Sequence, residues 1–353
     1  MSEAASSLPV TMLTGFLGSG KTTLLNHLLA HPGMSETAVL INEFGEIGLD
    51  HLLVREVKEG VVLLSSGCIC CTVQGELVDS LRDLYLNRLQ GEIPRFERVM
   101  IETTGLADPA SIIGALVRDP MFKEWYRLEG IVTTVDGVHG SGQLDQHAEA
   151  VKQAAVADRI VLTKCDIAEG TIMKTLSDRL RQLNPAAPIL PATHGNVEPD
   201  ALLNAGLFNA KTKSLDVQRW LNDELYIRHP PHDHKHDERV DVNRHDNHII
   251  AFCLTIDAPV DWRKFGQWLD QVLSKHGANL LRIKGIINAA GNNRPVVIHC
   301  VQHIRHQPVT LPTWPSDDTR TRVVFITRDV SREDIEGTFN GFLASAESKN
   351  VGR

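Results

Sequence analysis

Cysteine is scarce, with 6 in 353 residues, and half of these fall within four positions, at Cys68, Cys70 and Cys71. A disulfide framework spaces its cysteines along the chain; a cluster like this one points to metal or redox chemistry instead. Basic charge is not in excess. The chain carries 36 Lys and Arg against 44 Asp and Glu, a net charge of -8, which argues against a nucleic-acid surface, because phosphate binding needs a concentrated positive field. No run approaches the ~20 apolar residues needed to cross a bilayer. The opening MSEAASSLPV has neither a basic nor an apolar leader region. The expectation is a cytoplasmic protein with reduced thiols, no membrane partner and no nucleic-acid partner. There is no internal repeat.

What is present is an ordinary globular composition, 42% hydrophobic and 23% charged, over a length that favours two domains. From Leu8 to about Asp200 apolar segments alternate with helical patterns. PVTML, TAVLIN, GVVLLS, RVMIE, GIVTTVD, RIVLTK and APILPA read as strands buried on both faces. KTTLLNHLLAH and QGELVDSLRDLYLNRLQ read as helices, the second with an apolar core stripe at Leu77, Leu81, Leu84 and Leu89. This order predicts a doubly wound α/β domain, a mostly parallel sheet of P-loop NTPase type, over 1–205. A His-rich polar linker follows over 206–248. A smaller α+β domain of β-α-β-β-β-α order completes the chain over 249–353. Its first helix is predicted to start at an Asp261 cap and to bury Trp262, Phe265, Trp268, Leu269 and Val272.

Three motifs follow one another in the first domain. GFLGSGKTT sits between the first strand and helix and matches the phosphate-loop pattern. Gly15, Gly18, Ser19, Gly20, Lys21, Thr22 and Thr23 are the candidate phosphate residues: glycines let backbone N–H groups converge on oxygens, Lys21 reaches the β- and γ-phosphates, and Thr22 suits Mg²⁺. Next, Glu102-Thr103-Thr104-Gly105 has the spacing of a switch in which a strand-end carboxylate and the Gly105 N–H report on a γ-phosphate. Leu106 follows, where small GTPases place a water-orienting Gln, so intrinsic hydrolysis is expected to be slow. Last, Thr163, Lys164 and Asp166 in VLTKCD suit guanine, since one carboxylate can accept both N1–H and N2–H. Lys164 offers its stem to the base plane, and Ala192-Thr193 a backbone contact. Thr163 stands where many GTPases have Asn. The expected ligands are GTP and GDP.

Together GFLGSGKTT, NEFGEIGLD, SSGCICC, IETTGLADP, LTKCD and the later RIKG at Arg282–Gly285 resemble the CobW/YjiA-type P-loop GTPases of the G3E group, the YjiA-like subgroup best. The resemblance spans almost the whole chain. It implies GTP hydrolysis, a Cys-x-Cys-Cys site for Zn²⁺, Co²⁺ or Ni²⁺, and delivery of metal or cofactor to a client metalloprotein. Its members are tied to cobalamin synthesis, nitrile hydratase activation and zinc homeostasis. Matching the family motif also implies that Glu43 lies near the cysteine turn.

Three thiolates on one turn can converge on a soft cation at ~2.3 Å, leaving a fourth position open for release. A redox-sensitive thiol cluster and a small-residue packing turn are the competing readings. Cys165, Cys253 and Cys300 read as packing residues. The segment Arg228–His248 holds His229, His232, His234, His236, His245 and His248; of these His232, His234 and His236 are candidate metal collectors, and a merely solvated loop is the alternative. His299, His303 and His306 could add a further metal patch, but strand-exposed histidines are the expected case. A cofactor-assembly chaperone and a passive metal buffer compete with metal delivery. The sequence leaves the oligomeric state open, a homodimer among the options.

Overall fold

The first strand, β1 (Leu8–Gly15), is apolar on both faces and buried almost throughout, as a strand covered by helices on either side must be. The computed structural model describes residues 7–41, 62–65, 73–203 and 248–339. These fall into two compact units, built mainly from the residues before 204 and from those after 247.

In the first unit β1 is followed by α1 (Lys21–Ala30), β2 (Thr37–Ile41), β3 (Val62–Ser65), α2 (Val73–Gln90), β4 (Arg98–Glu102), α3 (Pro109–Arg118) and α4 (Pro120–Trp125). Then come β5 (Tyr126–Asp136), α5 (Gly140–Gln146), α6 (Ala148–Val156), β6 (Arg159–Thr163), α7 (Gly170–Leu183), β7 (Ile189–Pro191) and the short α8 (Pro199–Leu202). The seven strands form one sheet in the order β3-β2-β4-β1-β5-β6-β7, every pairing parallel. This is the doubly wound sheet predicted. Leu13 pairs with Glu102, Gly15 with Thr134, and Asp136 with Thr163, so the C-terminal ends of β1, β4, β5 and β6 open onto one sheet edge. Ligands of such sheets bind along that edge. One side of the core packs Leu24, Leu25 and Leu28 of α1 against Leu13, Val39, Met100, Val132 and Val161.

One expected core residue is not in the core. Leu77, Leu81 and Leu84 are buried, whereas Leu89 is 61% exposed. At about 100° per residue the first three share a face, and Leu89 falls about 120° away from Leu77.

The second unit contains β8 (Ile249–Ile256), α9 (Trp262–His276), β9 (Leu280–Ile287), β10 (Val296–Val301), β11 (Ile304–Arg305), β12 (Val309–Thr310) and β13 (Thr321–Arg328). Residues 332–339 are helical. Its sheet runs β11-β10-β9-β13-β8, with β12 beside β10, and its pairings are antiparallel. Asp261 caps α9 by accepting the Lys264 N–H at 3.0 Å. Phe265, Trp268, Leu269 and Val272 are buried as expected, but Trp262 in the first turn remains 39% exposed. Trp268 meets Phe325 and Phe339 edge-on. Just before β13, Asp318 accepts from the Arg320 N–H, Nε and Nη2 at 3.0, 3.0 and 2.9 Å and lies 3.4 Å from Arg322. Those bonds, led by Arg320, lower its carboxyl to about 2.

Candidate nucleotide site

The turn GFLGSG is shaped by its glycines. Gly18 (φ 71°) and Gly20 (φ 88°) are left-handed, a region other residues enter only at a cost. Gly15 has no room for a side chain: a Cβ would lie 2.2 Å from Thr134 Oγ1 and 2.7 Å from Ser19 Oγ. Ser19 and Thr134 share a hydrogen bond of 2.7 Å. Gly20 directs the chain into α1, whose first residue, Lys21, is nearly buried. Its ammonium donates to Gly15 O at 3.0 Å and Phe16 O at 3.3 Å. The Lys21 ammonium thus folds back onto the turn that opens α1, beside the helix's N-terminal amides, an arrangement that suits an anion. Thr23, by contrast, is exposed.

Eighty residues further on, β4 ends at Glu102, which is wholly buried. Thr22 Oγ1 donates to Glu102 Oε1 at 2.9 Å, so two motifs remote in sequence meet at one pair of oxygens. A hydroxyl beside a carboxylate is a hard-oxygen donor set, the kind that Mg²⁺ takes alongside phosphate oxygens. Thr103 Oγ1 donates to Thr14 Oγ1 at 2.9 Å. Gly105 presses on the phosphate-type loop: a Cβ there would come within 2.7 Å of Leu17 N. Leu106 is half exposed.

Helix α6 holds this second loop, and no motif pointed to it. Gln153, with no exposed surface, donates its amide hydrogens to Gly105 O at 3.1 Å and Ala107 O at 3.0 Å. Lys152 pairs with Asp108 at 3.0 Å, while Asp108 caps α3 through the Ala110 N–H. At the start of the same helix His147 stacks on Phe16, ring centroids 4.4 Å apart. The signal available in AEAVKQAAV was a Gln on the face that its alanines and valines bury.

The third motif closes the row. Thr163 Oγ1 donates to Ser19 O at 2.8 Å, tying the end of β6 to the phosphate-type loop. Lys164 is left-handed at φ 56°, and its ammonium lies 2.6 Å from Asp136 Oδ2 at the end of β5. Asp166 is at the surface, 3.8 Å from His194. The chain after β7 adjoins this turn, with the Cys165 N–H donating to Ala192 O at 3.4 Å. Asp136, absent from the sequence expectations, also accepts the N–H groups of Val138 at 2.8 Å and His139 at 3.1 Å. Burial works to raise its carboxyl, but the Lys164 ammonium and these bonds outweigh it and hold it below the usual carboxylate range.

The metal candidates stand apart from this geometry. Glu43, Cys68, Cys70, Cys71, His232, His234 and His236 lie outside the described residues. Among the described residues no group of three or more His, Cys, Asp or Glu could hold a metal ion. Cys253 and Cys300 are buried packing residues, and burial pushes the Cys300 thiol up to about 12; Cys165 is only half-buried. His248 pairs with Asp329 at 2.7 Å. His299 and His306 correct the expectation of strand-exposed histidines: both are half-buried, rings 5.0 Å apart, and only His303 is exposed. His299 shares a strand face with Val297 and Val301, and that face is buried.

Comparison with known proteins adds to this picture. The family model described as CobW/HypB/UreG, nucleotide-binding domain, matches residues 9–191, and that of the cobalamin synthesis protein cobW C-terminal domain matches residues 249–343. The zinc chaperone YjiA of Escherichia coli (strain K12) is 34% identical over 334 residues, covering 95% of this chain and 98% of that protein. The zinc chaperone CobW of Pseudomonas aeruginosa is 28% identical, over 97% of this chain and 93% of its own length. Among solved structures, the Zn(II)-bound YjiA GTPase from E. coli matches with a TM-score of 0.69 at 28% identity, covering 96% of this chain and 99% of that one.

Proposed function

We propose a function that starts from kinship: this chain belongs to the CobW/HypB/UreG family of nucleotide-binding proteins, and it acts as a GTPase that couples nucleotide state to the binding and delivery of a transition metal. The observation that carries the reading is the 2.9 Å bond between Thr22 and Glu102, which joins the phosphate-loop motif to the switch-like one. Zinc is the proposed cargo, because the similar full-length proteins are named zinc chaperones. The recipient is a client metalloprotein, and the setting is cytoplasmic. Among the described residues no helix is long and apolar enough to cross a membrane.

In this reading Lys21 and the amides of the GFLGSG turn hold the phosphates and stabilise charge on the group being transferred. Thr22 and Glu102 would hold Mg²⁺, which when bound neutralises phosphate charge. Gly105 presents its N–H to the terminal phosphate. Asp166 accepts from guanine, and Lys164 covers the base. Cys68, Cys70 and Cys71, with Glu43, hold the cargo metal, and the segment NEFGEIGLD links them to nucleotide state. A ligand bound unequally by two conformers shifts their populations, and the coupling is reciprocal.

The test is zinc affinity by equilibrium dialysis in the nucleotide-free, GDP-bound and GTP-analogue-bound states, alongside phosphate release with and without zinc. We expect turnover that is slow without zinc and zinc affinities that differ among the three states. Equal affinities would remove the coupling, and no turnover under any metal condition would leave a passive metal buffer. Changing Cys68, Cys70 and Cys71 together to Ser should abolish tight zinc binding and leave GTP binding intact.

A further inference from the structure

The carboxylate of Asp136 engages four partners at the C-terminal edge of the first sheet, and none of the three motifs contains it. Its side chain is 2% exposed. One oxygen accepts the Val138 and His139 N–H groups at 2.8 and 3.1 Å, fixing the start of the loop after β5. The other lies 2.6 Å from Lys164 Nζ and 3.2 Å from His139 Nδ1. The two strand ends are close: Asp136 pairs with Thr163 in register, the Gly137 N–H donates to Thr163 O at 2.9 Å, and a Cβ on Gly137 would come within 2.6 Å of that oxygen.

Lys164 needs such an anchor. Its backbone is left-handed at φ 56°, a conformation that lysine adopts rarely. Its side chain is the long, flexible kind that loses much freedom when ordered. Asp136 holds the ammonium, and the methylene stem between backbone and ammonium is thereby ordered in advance of any ligand. Pre-ordering removes a cost that binding would otherwise carry.

We infer that Asp136 is a positioning residue for guanine-nucleotide recognition, acting by anchoring Lys164 so that its stem forms a ready-made shelf beside Asp166. The inference rests on the guanine reading of the Thr163–Asp166 turn. It goes further in assigning base affinity to a residue on a different strand that touches no ligand itself.

The experiment measures GDP and ADP affinity of the full chain by equilibrium titration, for wild type, Asp136→Asn, Lys164→Met, Lys164→Arg, the Asp136→Asn/Lys164→Met double variant and Asp166→Ala. The Asp136→Asn change keeps an acceptor for Val138 and His139 but removes the ion pair. It is expected to weaken GDP about tenfold, the scale of one side chain no longer pre-ordered. Lys164→Met, which keeps an apolar stem and cuts it loose, should lose a similar factor, and Lys164→Arg, which keeps the pair, should lose less. The decisive readout is the double variant, expected to bind no more weakly than Lys164→Met alone, because Asp136 acts only through Lys164. A purely structural role would give additive losses. Additive losses, or wild-type GDP affinity in Asp136→Asn, overturn the anchor alone; if Asp136→Asn does not fold, wild-type affinity in Lys164→Met does the same. A wild type that binds ADP as tightly as GDP, unchanged by Asp166→Ala, overturns the guanine reading and the anchor with it.

Discussion

Gln153 supplies two donors to two carbonyls of a loop that has left the β4 ladder. Gly105 and Ala107 lie in the stretch proposed to respond to nucleotide, and Gln153 holds that stretch from a neighbouring helix. Replacing it with Leu keeps comparable bulk and removes both donors. Each buried carbonyl left without its bond costs about 1–3 kcal/mol, partly recovered by relaxation. Gln153→Leu should lower stability by about 2 kcal/mol in chemical denaturation. It should slow GTP turnover by a larger factor than it weakens GDP, because GDP has no terminal phosphate for Gly105 to meet. A GDP affinity that falls as far as turnover would show that the loop serves binding alone.

At the level of elements, the turn before β13 offers a pH test. Asp318 has its carboxyl lowered to about 2 from an ordinary value of 3.8. A group whose value is lower in the folded state stabilises the fold above its unfolded value, and that stability is lost as pH falls through the folded one. The contribution should therefore be complete above about pH 4 and gone by about pH 2. Asp318→Asn should cost about 1 kcal/mol near neutrality, since the group is partly exposed and solvent screens it. Denaturant titrations at about pH 7, 4 and 2 should show the gap to wild type closing at the acid end. A gap that persists there would assign the effect to packing.

Elements were also where the sequence was easiest to read. RVMIE and RIVLT are short apolar runs rich in Val and Ile, the pattern of a parallel strand covered on both faces. The misjudged residues sit at the ends of patterns or on faces whose cover is distant. Leu89 lies out of phase with its own helix, Trp262 stays exposed in the first turn of its helix, and His299 looked exposed because nothing local shows that the face it shares with Val297 and Val301 is buried. Asp136 and Gln153 carried no motif, because their partners, Lys164 and Gly105, are 28 and 48 residues away. Side-chain pairs at that separation exist only once strand order is known.

On the scale of the whole molecule, each unit has its own sheet and its own core, and every nucleotide candidate lies in the first. A ligand that binds only the native state stabilises it in proportion to the logarithm of its concentration, about 2.7 kcal/mol at one hundred times Kd. Saturating GDP should therefore slow amide exchange in β1, β4, β5 and β6 and leave β8, β9, β10 and β13 close to their nucleotide-free rates. Hydrogen exchange with mass spectrometry reads both sets at once. Equal protection of the two would indicate that the units unfold as one.

The position of Lys21 bears on how the proposed nucleotide would enter. Its ammonium already donates to Gly15 O and Phe16 O, so a phosphate arriving at this turn would trade neutral acceptors for charged ones instead of adding bonds to a bare cation. Charge-assisted bonds are roughly twice as strong as neutral ones, so the driving force for entry comes from the difference in charge and not from the number of bonds formed.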